Sequence, residues 1–95
     1  MLSDFNTRFR MVGDCEQSAI NLLEHRAKQG HASPYGEAEY HVQGYAGEGK
    51  TPHDIVIGCK VVMRRPNNRR VHTFTLQGKR IARHKIALRL GELGV

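Results

Sequence analysis

The chain of 95 residues has no tryptophan, only two cysteines and three prolines, and almost no acid in its last third. Each scarcity excludes something. Two cysteines, Cys15 and Cys59, are too few for a disulfide scaffold. Both sit in apolar patterns, which reads them as reduced core thiols of a cytoplasmic protein. No apolar run approaches the length that crosses a bilayer. The first eleven residues carry Asp4, Arg8 and Arg10, so neither a signal peptide nor a membrane span is expected. The six histidines fall in no C-x2-C or H-x3-H spacing, so no metal or other cofactor is expected. No close carboxylate pair and no Ser-His-Asp or Cys-His arrangement suggests catalysis. The segment GEGK (47–50) lacks the following Ser/Thr and the length of a phosphate loop, and reads as a hairpin connection.

What is present is charge of one sign, unevenly placed. Residues 1–59 hold five Lys/Arg against eight Asp/Glu, whereas residues 60–95 hold ten Lys/Arg against the single acid Glu92. A field that one-sided acts on partners, and a polyanion is its natural partner; an acidic protein surface satisfies it too. Length and composition fit one globular domain.

Periodicity gives the elements. Leu2, Phe5, Phe9 and Val12 stand at near-helical spacing, so residues 1–12 read as an N-terminal arm or short helix, with a single domain over 13–95. Asp14 followed by Gln17 reads as a capping box that opens a helix. Cys15, Ala19, Ile20, Leu22, Leu23 and Ala27 form its apolar stripe, and Gly30 closes it. Residues 31–37 read as a loop. The alternation Ala38, Tyr40, Val42 against Glu39, His41, Gln43 predicts a half-buried strand. Ile55, Ile57, Cys59, Val61 and Met63 on one face of DIVIGCKVVMRR predict the strongest strand. PNN (66–68) is turn chemistry with an Asn suited to positive φ, and VHTFTLQ returns as the hairpin partner. A basic helix is expected to open at Gly78, with Ile81 and Leu88 lying off its main stripe. The expectation is an α+β fold in the order α-β-β-β-α, a three-stranded antiparallel sheet covered by two helices.

The cations Lys79, Arg80 and Arg83 would share one end of that last helix. Positive charge at a helix N-terminus opposes the macrodipole, which reads either as an external anion meeting those groups or as a solvated Lys/Arg-rich helix that keeps the protein soluble. The flanked turn RRPNNRR, with Arg69 and Arg70, reads either as a phosphate-touching finger or as protection of a sheet edge.

The element order and several local patterns resemble the double-stranded RNA-binding domain over residues 18–93. Leu22, Leu23, Glu24, Lys28 and Gly30 are similar to that family's first helix and its basic tail. Pro34 and Tyr40 are similar to its first strand. Pro52 and His53 in GKTPH are similar to the element between its first two strands, with Gly49 displaced. Lys79, Arg80, Ile81, Ala82 and Arg83 match the opening of its second helix in character, and Ala87 one of its small packing residues. The chain departs from the family at FTLQG, where a longer glycine run is usual, and at Ile86, where a small residue is usual. The resemblance implies shape-based binding of a nucleic-acid duplex, RNA or DNA, by phosphate contacts from Lys79, Arg80 and Arg83. It implies minor-groove contacts from His53, Gln17, Asn21 and Glu24, and Lys50 is expected among the nucleic-acid-binding residues. The expectation is therefore a small non-enzymatic nucleic-acid-binding domain. The alternative is an accessory protein of a phage or mobile element, of the anti-CRISPR kind, that inhibits a host complex by occupying its nucleic-acid-binding or acidic surface. A homodimer held by apolar residues left over on the last helix is compatible with either.

Overall fold

The computed structural model describes residues 3–45 and 51–95. Its elements run α1 (Phe5–Lys28), β1 (Tyr35–Gly44), β2 (His53–Arg64), β3 (Arg69–Leu76), β4 (Lys79–Ile81) and α2 (Arg83–Glu92). The four strands form one antiparallel sheet in sequence order. The α+β class and the number of helices stand as expected, but the sheet has a fourth strand and both helices begin elsewhere.

The first correction concerns α1. One helix of 24 residues replaces the expected arm followed by a helix capped at Asp14. The N-cap is Asp4, whose carboxylate accepts from the Thr7 backbone N–H at 2.7 Å, and Asp14 lies exposed in mid-helix. The reason is packing continuity. Val12, Cys15, Ala19 and Leu23, three or four residues apart, form one buried stripe across the supposed boundary. Continuing the helix therefore buries more than restarting it would. Gly30, at φ 83°, ends it in the left-handed region.

The second correction concerns the segment after Leu76. Gln77 and Gly78 both have positive φ, 53° and 78°, which makes the two-residue turn whose twist suits a hairpin. Lys79–Ile81 then returns as β4, with Phe74 opposite Ile81 and Thr75 opposite Arg80. Positive φ disfavours a residue with a Cβ, and Gln77 offsets this through its side chain. Its amide accepts from Val56 N–H at 2.8 Å and donates to the Asp54 carbonyl at 3.1 Å. That amide extends the ladder on β2 beyond the end of β3.

Both helices lie on one face of the sheet. α1 packs over β1 and β2, and α2 packs beside α1. The core joins the α1 stripe to Ile55, Ile57, Cys59 and Val61 of β2, Phe74 and Leu76 of β3, and Ile86 and Leu90 of α2. The expected alternations of β1 and β2 hold. Gly36 lies where α1 approaches β1 most closely: a Cβ there would overlap the Ala19 carbonyl oxygen. Ile81, placed at the sheet edge instead of on a helix, packs against the core, whereas Leu88 is 61% exposed. Among the described residues, no helix is long and apolar enough to cross a membrane. The opposite face of the sheet has neither helix over it. It carries Glu37, Glu39 and His41 of β1, Gly58, Lys60 and Arg64 of β2, and Arg69, Thr73 and Thr75 of β3.

Candidate phosphate-binding surfaces

The ten cations of residues 60–95 do not converge on a helix N-terminus. Lys79 and Arg80 are exposed on β4, and only Arg83 belongs to α2. Arg83 is also the least available of the three. Its Nη2 lies 3.2 Å from Glu16 Oε1, and its Nε donates to the same oxygen at 3.2 Å. Its guanidinium carbon sits 5.4 Å from the Phe9 ring centroid and 5.9 Å from that of Phe74. Sequence proximity placed this arginine in front of a phosphate. The fold places it between two aromatic rings and against the protein's own carboxylate.

Cations gather instead at one end of the molecule, 51 Å long in its longest dimension. There the last turn of α1 meets the β2–β3 hairpin. Arg65 Nε donates to the Ala32 carbonyl at 3.1 Å, and Met63 N–H donates to the Pro34 carbonyl at 3.2 Å. Arg26 Nη1 donates to the Tyr35 carbonyl at 2.8 Å, with its guanidinium 4.4 Å from the Tyr35 ring centroid. Lys60 Nζ is 5.3 Å from the same centroid. The helix C-terminus favours Arg26 and Lys28 through its dipole. The hairpin adds Arg64, Arg65, Arg69 and Arg70, and Arg64 stands directly opposite Arg69 in the ladder. Like charges so placed repel each other. Glu24 lies 3.8 Å from Arg70 Nη1, and Glu37 stands opposite Lys60. The turn reaches its geometry through Asn68 at φ 54°, as the Asn of PNN led one to expect.

The other expected contacts scatter. Gln17 and Asn21 are exposed on α1, but the Gln17 amide donates to Asn21 Oδ1 at 2.9 Å. Glu24 Oε1 lies 3.8 Å from Arg70 Nη1. His53 opens β2, opposite Gly44, eleven residues and about 36 Å of strand from Arg64. Lys50 lies outside the described residues.

One cluster had no signal in the sequence. Glu16 accepts from His72 Nδ1–H through Oε2 at 2.8 Å while holding Arg83 through Oε1. The three residues are 56 and 67 positions apart along the chain. They border an open depression of about 430 Å³, which Arg80 and Ala82 also line. A second depression, about 410 Å³, lies over Gly58 on the uncovered sheet face, between Glu37, Glu39, Lys60 and Thr75.

Burial pushes the Cys15 thiol up to about 11 and the Cys59 thiol up to about 12, which makes both inert. Both are free and buried, as expected from their apolar setting. The hydrogen bond that His41 Nδ1–H donates to the Asp54 carboxylate, at 2.9 Å, raises the pKa of His41. Among the described residues, no group of three or more His, Cys, Asp or Glu side chains is arranged to hold a metal ion.

No protein-family model matches the chain, and no curated protein and no solved structure is significantly similar to it.

Proposed function

We propose that the chain is a non-enzymatic nucleic-acid-binding domain that holds duplex phosphates at its hairpin end with little regard for base sequence. The observation that carries this reading is the meeting of Arg26 and Lys28 with Arg64, Arg65, Arg69 and Arg70, in particular the unshielded opposition of Arg64 and Arg69. A ladder position that repels itself is relieved by an external anion, and a phosphate backbone supplies anions at regular spacing. Arginine suits the task because its planar fork meets two phosphate oxygens at once. The grip differs from the one implied by the double-stranded RNA-binding domain, because the basic pentad 79–83 is divided between β4 and α2.

The test is duplex RNA and duplex DNA binding measured against salt by fluorescence anisotropy. Four phosphate contacts give a log–log salt slope of about −3 to −4 on B-form DNA. Changing Arg64, Arg65 and Arg69 together to Ala abolishes most of the affinity, while changing Lys79 and Arg80 together costs less. Binding that is indifferent to salt, or unchanged in the triple variant, refutes the reading.

One observation favours the alternative, an inhibitor that binds a protein complex. The sheet face opposite the helices pairs an acidic strand, Glu37 and Glu39, with Lys60, Arg64 and Arg69 on its neighbours. Such a mixed face suits a protein surface better than a uniform polyanion. Stable co-purification with a protein complex, lost on Glu39→Lys while duplex binding is unchanged by that substitution, separates it from duplex binding.

A further inference from the structure

We infer that the depression bordered by Glu16, His72, Arg80 and Arg83 is a binding site for a single phosphate group, distinct from the basic hairpin end. It goes beyond duplex binding, since it involves other side chains and one phosphate instead of a backbone.

The argument begins with how Glu16 is used. Both of its oxygens are occupied, one by the Arg83 guanidinium and the other by His72 Nδ1–H. This has two consequences. The carboxylate's negative charge is spent on Arg83, so it does little to repel an incoming anion. The imidazole is also fixed in orientation and tautomer, because a carboxylate can only accept and Nδ1 must therefore donate. His72 Nε2 is then the nitrogen left for a ligand. It donates to a phosphate oxygen when the ring is protonated, and accepts from a P–OH group when it is neutral. The arrangement matches the way a carboxylate on one nitrogen orients a histidine to work with the other.

Two guanidinium groups complete the set. Arg83 lines the depression, held in place by Glu16 and by the Phe9 and Phe74 rings. A guanidinium fixed on three sides has lost its rotamer freedom before any ligand arrives, so less entropy is lost on binding. Arg80 has no carboxylate partner among the described residues. It brings the positive charge that the Glu16–Arg83 pair lacks. Arg80 stands opposite Thr75 in the ladder, so it leaves the sheet on the face away from His72 and lines the depression from across the open edge. A phosphate seated at that edge has planar N–H donors on one side and the imidazole and Arg83 on the other. The depression, about 430 Å³, exceeds the volume of one phosphate and leaves room for the group that carries it. It lies at the end of β4, where the chain leaves the β3 edge at Ala82.

The chemistry admits two sources, free inorganic phosphate and the terminal phosphate of an oligonucleotide. The full chain is titrated by NMR with inorganic phosphate at constant ionic strength, following the His72 ring and the Arg80 and Arg83 Nε–H signals. The same titration is run with a short single strand bearing either a 5′-phosphate or a 5′-hydroxyl. The expected result is saturable, millimolar-range shifts at those three residues and not at His31, which is exposed elsewhere. Arg80→Ala weakens binding by about tenfold, the loss of one charge-assisted contact. A 5′-phosphate strand that binds more tightly than inorganic phosphate, and than its hydroxyl twin, assigns the site to nucleic-acid termini. Equal affinity for the strand's phosphate and for inorganic phosphate assigns it to the free anion. Shifts that never saturate, that appear equally at His31, or that are unchanged in Arg80→Ala overturn the site. The arginine triple variant at the hairpin end keeps the phosphate titration intact, so failure of duplex binding and failure of this site are read separately.

Discussion

Glu16 Oε1 lies 3.2 Å from Arg83 Nη2, joining the middle of α1 to the first turn of α2 across 67 residues. That pair settles what Arg83 does in the free protein: it ties the two helices together at the edge of the core. Glu16 is largely buried and Arg83 is about two-fifths exposed, so solvent screens part of the attraction. A double-mutant cycle on Glu16→Gln and Arg83→Gln gives a coupling of about 1 kcal/mol by urea unfolding. Glu16→Gln alone also releases His72, whose ring signals broaden or shift by NMR while those of His41 stay put.

Gly36→Ala destabilises the fold by about 2–3 kcal/mol, because one methyl group meets the Ala19 carbonyl and α1 must lift from β1. Thermal unfolding of the purified variant measures it. Gly30→Ala provides the contrast: space is open there, and only the cost of a Cβ at positive φ remains, about 1 kcal/mol.

Gln77→Ala removes two hydrogen bonds that the side chain makes to Val56 N–H and to the Asp54 carbonyl. The loss is about 1–2 kcal/mol. Amide hydrogen exchange locates it, with protection falling first at Val56 and along β4. An unchanged exchange pattern at Val56 shows the amide contact to be dispensable.

The buried thiols make the fold sensitive to alkali. Cys15 and Cys59 stay protonated in the native state up to about 11 and about 12, well above the ordinary value of 9.0. The unfolded state therefore releases these protons first. Their contribution to stability is fully present below pH 9 and is lost as pH rises through the native values. Unfolding midpoints measured from pH 8 upward fall in the wild type, and fall less in Cys59→Ala after allowing for its lower starting stability. In the native protein at pH 8 both thiols react slowly with iodoacetamide; in urea they react at the rate of a free thiol.

His41 behaves in the same sense at lower pH. Asp54 raises its native pKa above 6.5, so the imidazolium pair is present below that value and is lost as pH rises past the native one. Its NMR titration midpoint drops toward 6.5 in Asp54→Asn, and the group is too exposed for a large effect on stability.

The residues most legible in the sequence are those whose neighbours are local. β2 declares itself because Ile55, Ile57, Cys59 and Val61 recur at every second position of a β-branched run, and a period of two has one geometric solution. Asn68 at positive φ follows from turn chemistry alone. The uneven charge, ten cations against one acid after residue 59, is likewise a property of the sequence and fixes that some face of the protein is basic. Which face is basic belongs to the tertiary structure. The run 79–83 has the composition of a helix opening, yet Lys79–Ile81 pairs with β3, because the Gln77–Gly78 turn and the seat for Ile81 against Phe74 outweigh local propensity. The break between residues 12 and 14 likewise disappears, because Val12 and Cys15 bury on one continuous stripe. The partnership of Glu16, His72 and Arg83 had no local trace at all, since charge pairing across 56 and 67 residues depends on where helices dock. The sequence by itself determined the alternating strands, the buried thiols and the sign of the charge. Only the packing of α1 and α2 on the sheet decided which of those charges meet their own acids and which are left to face solvent, because that depends on distance in space.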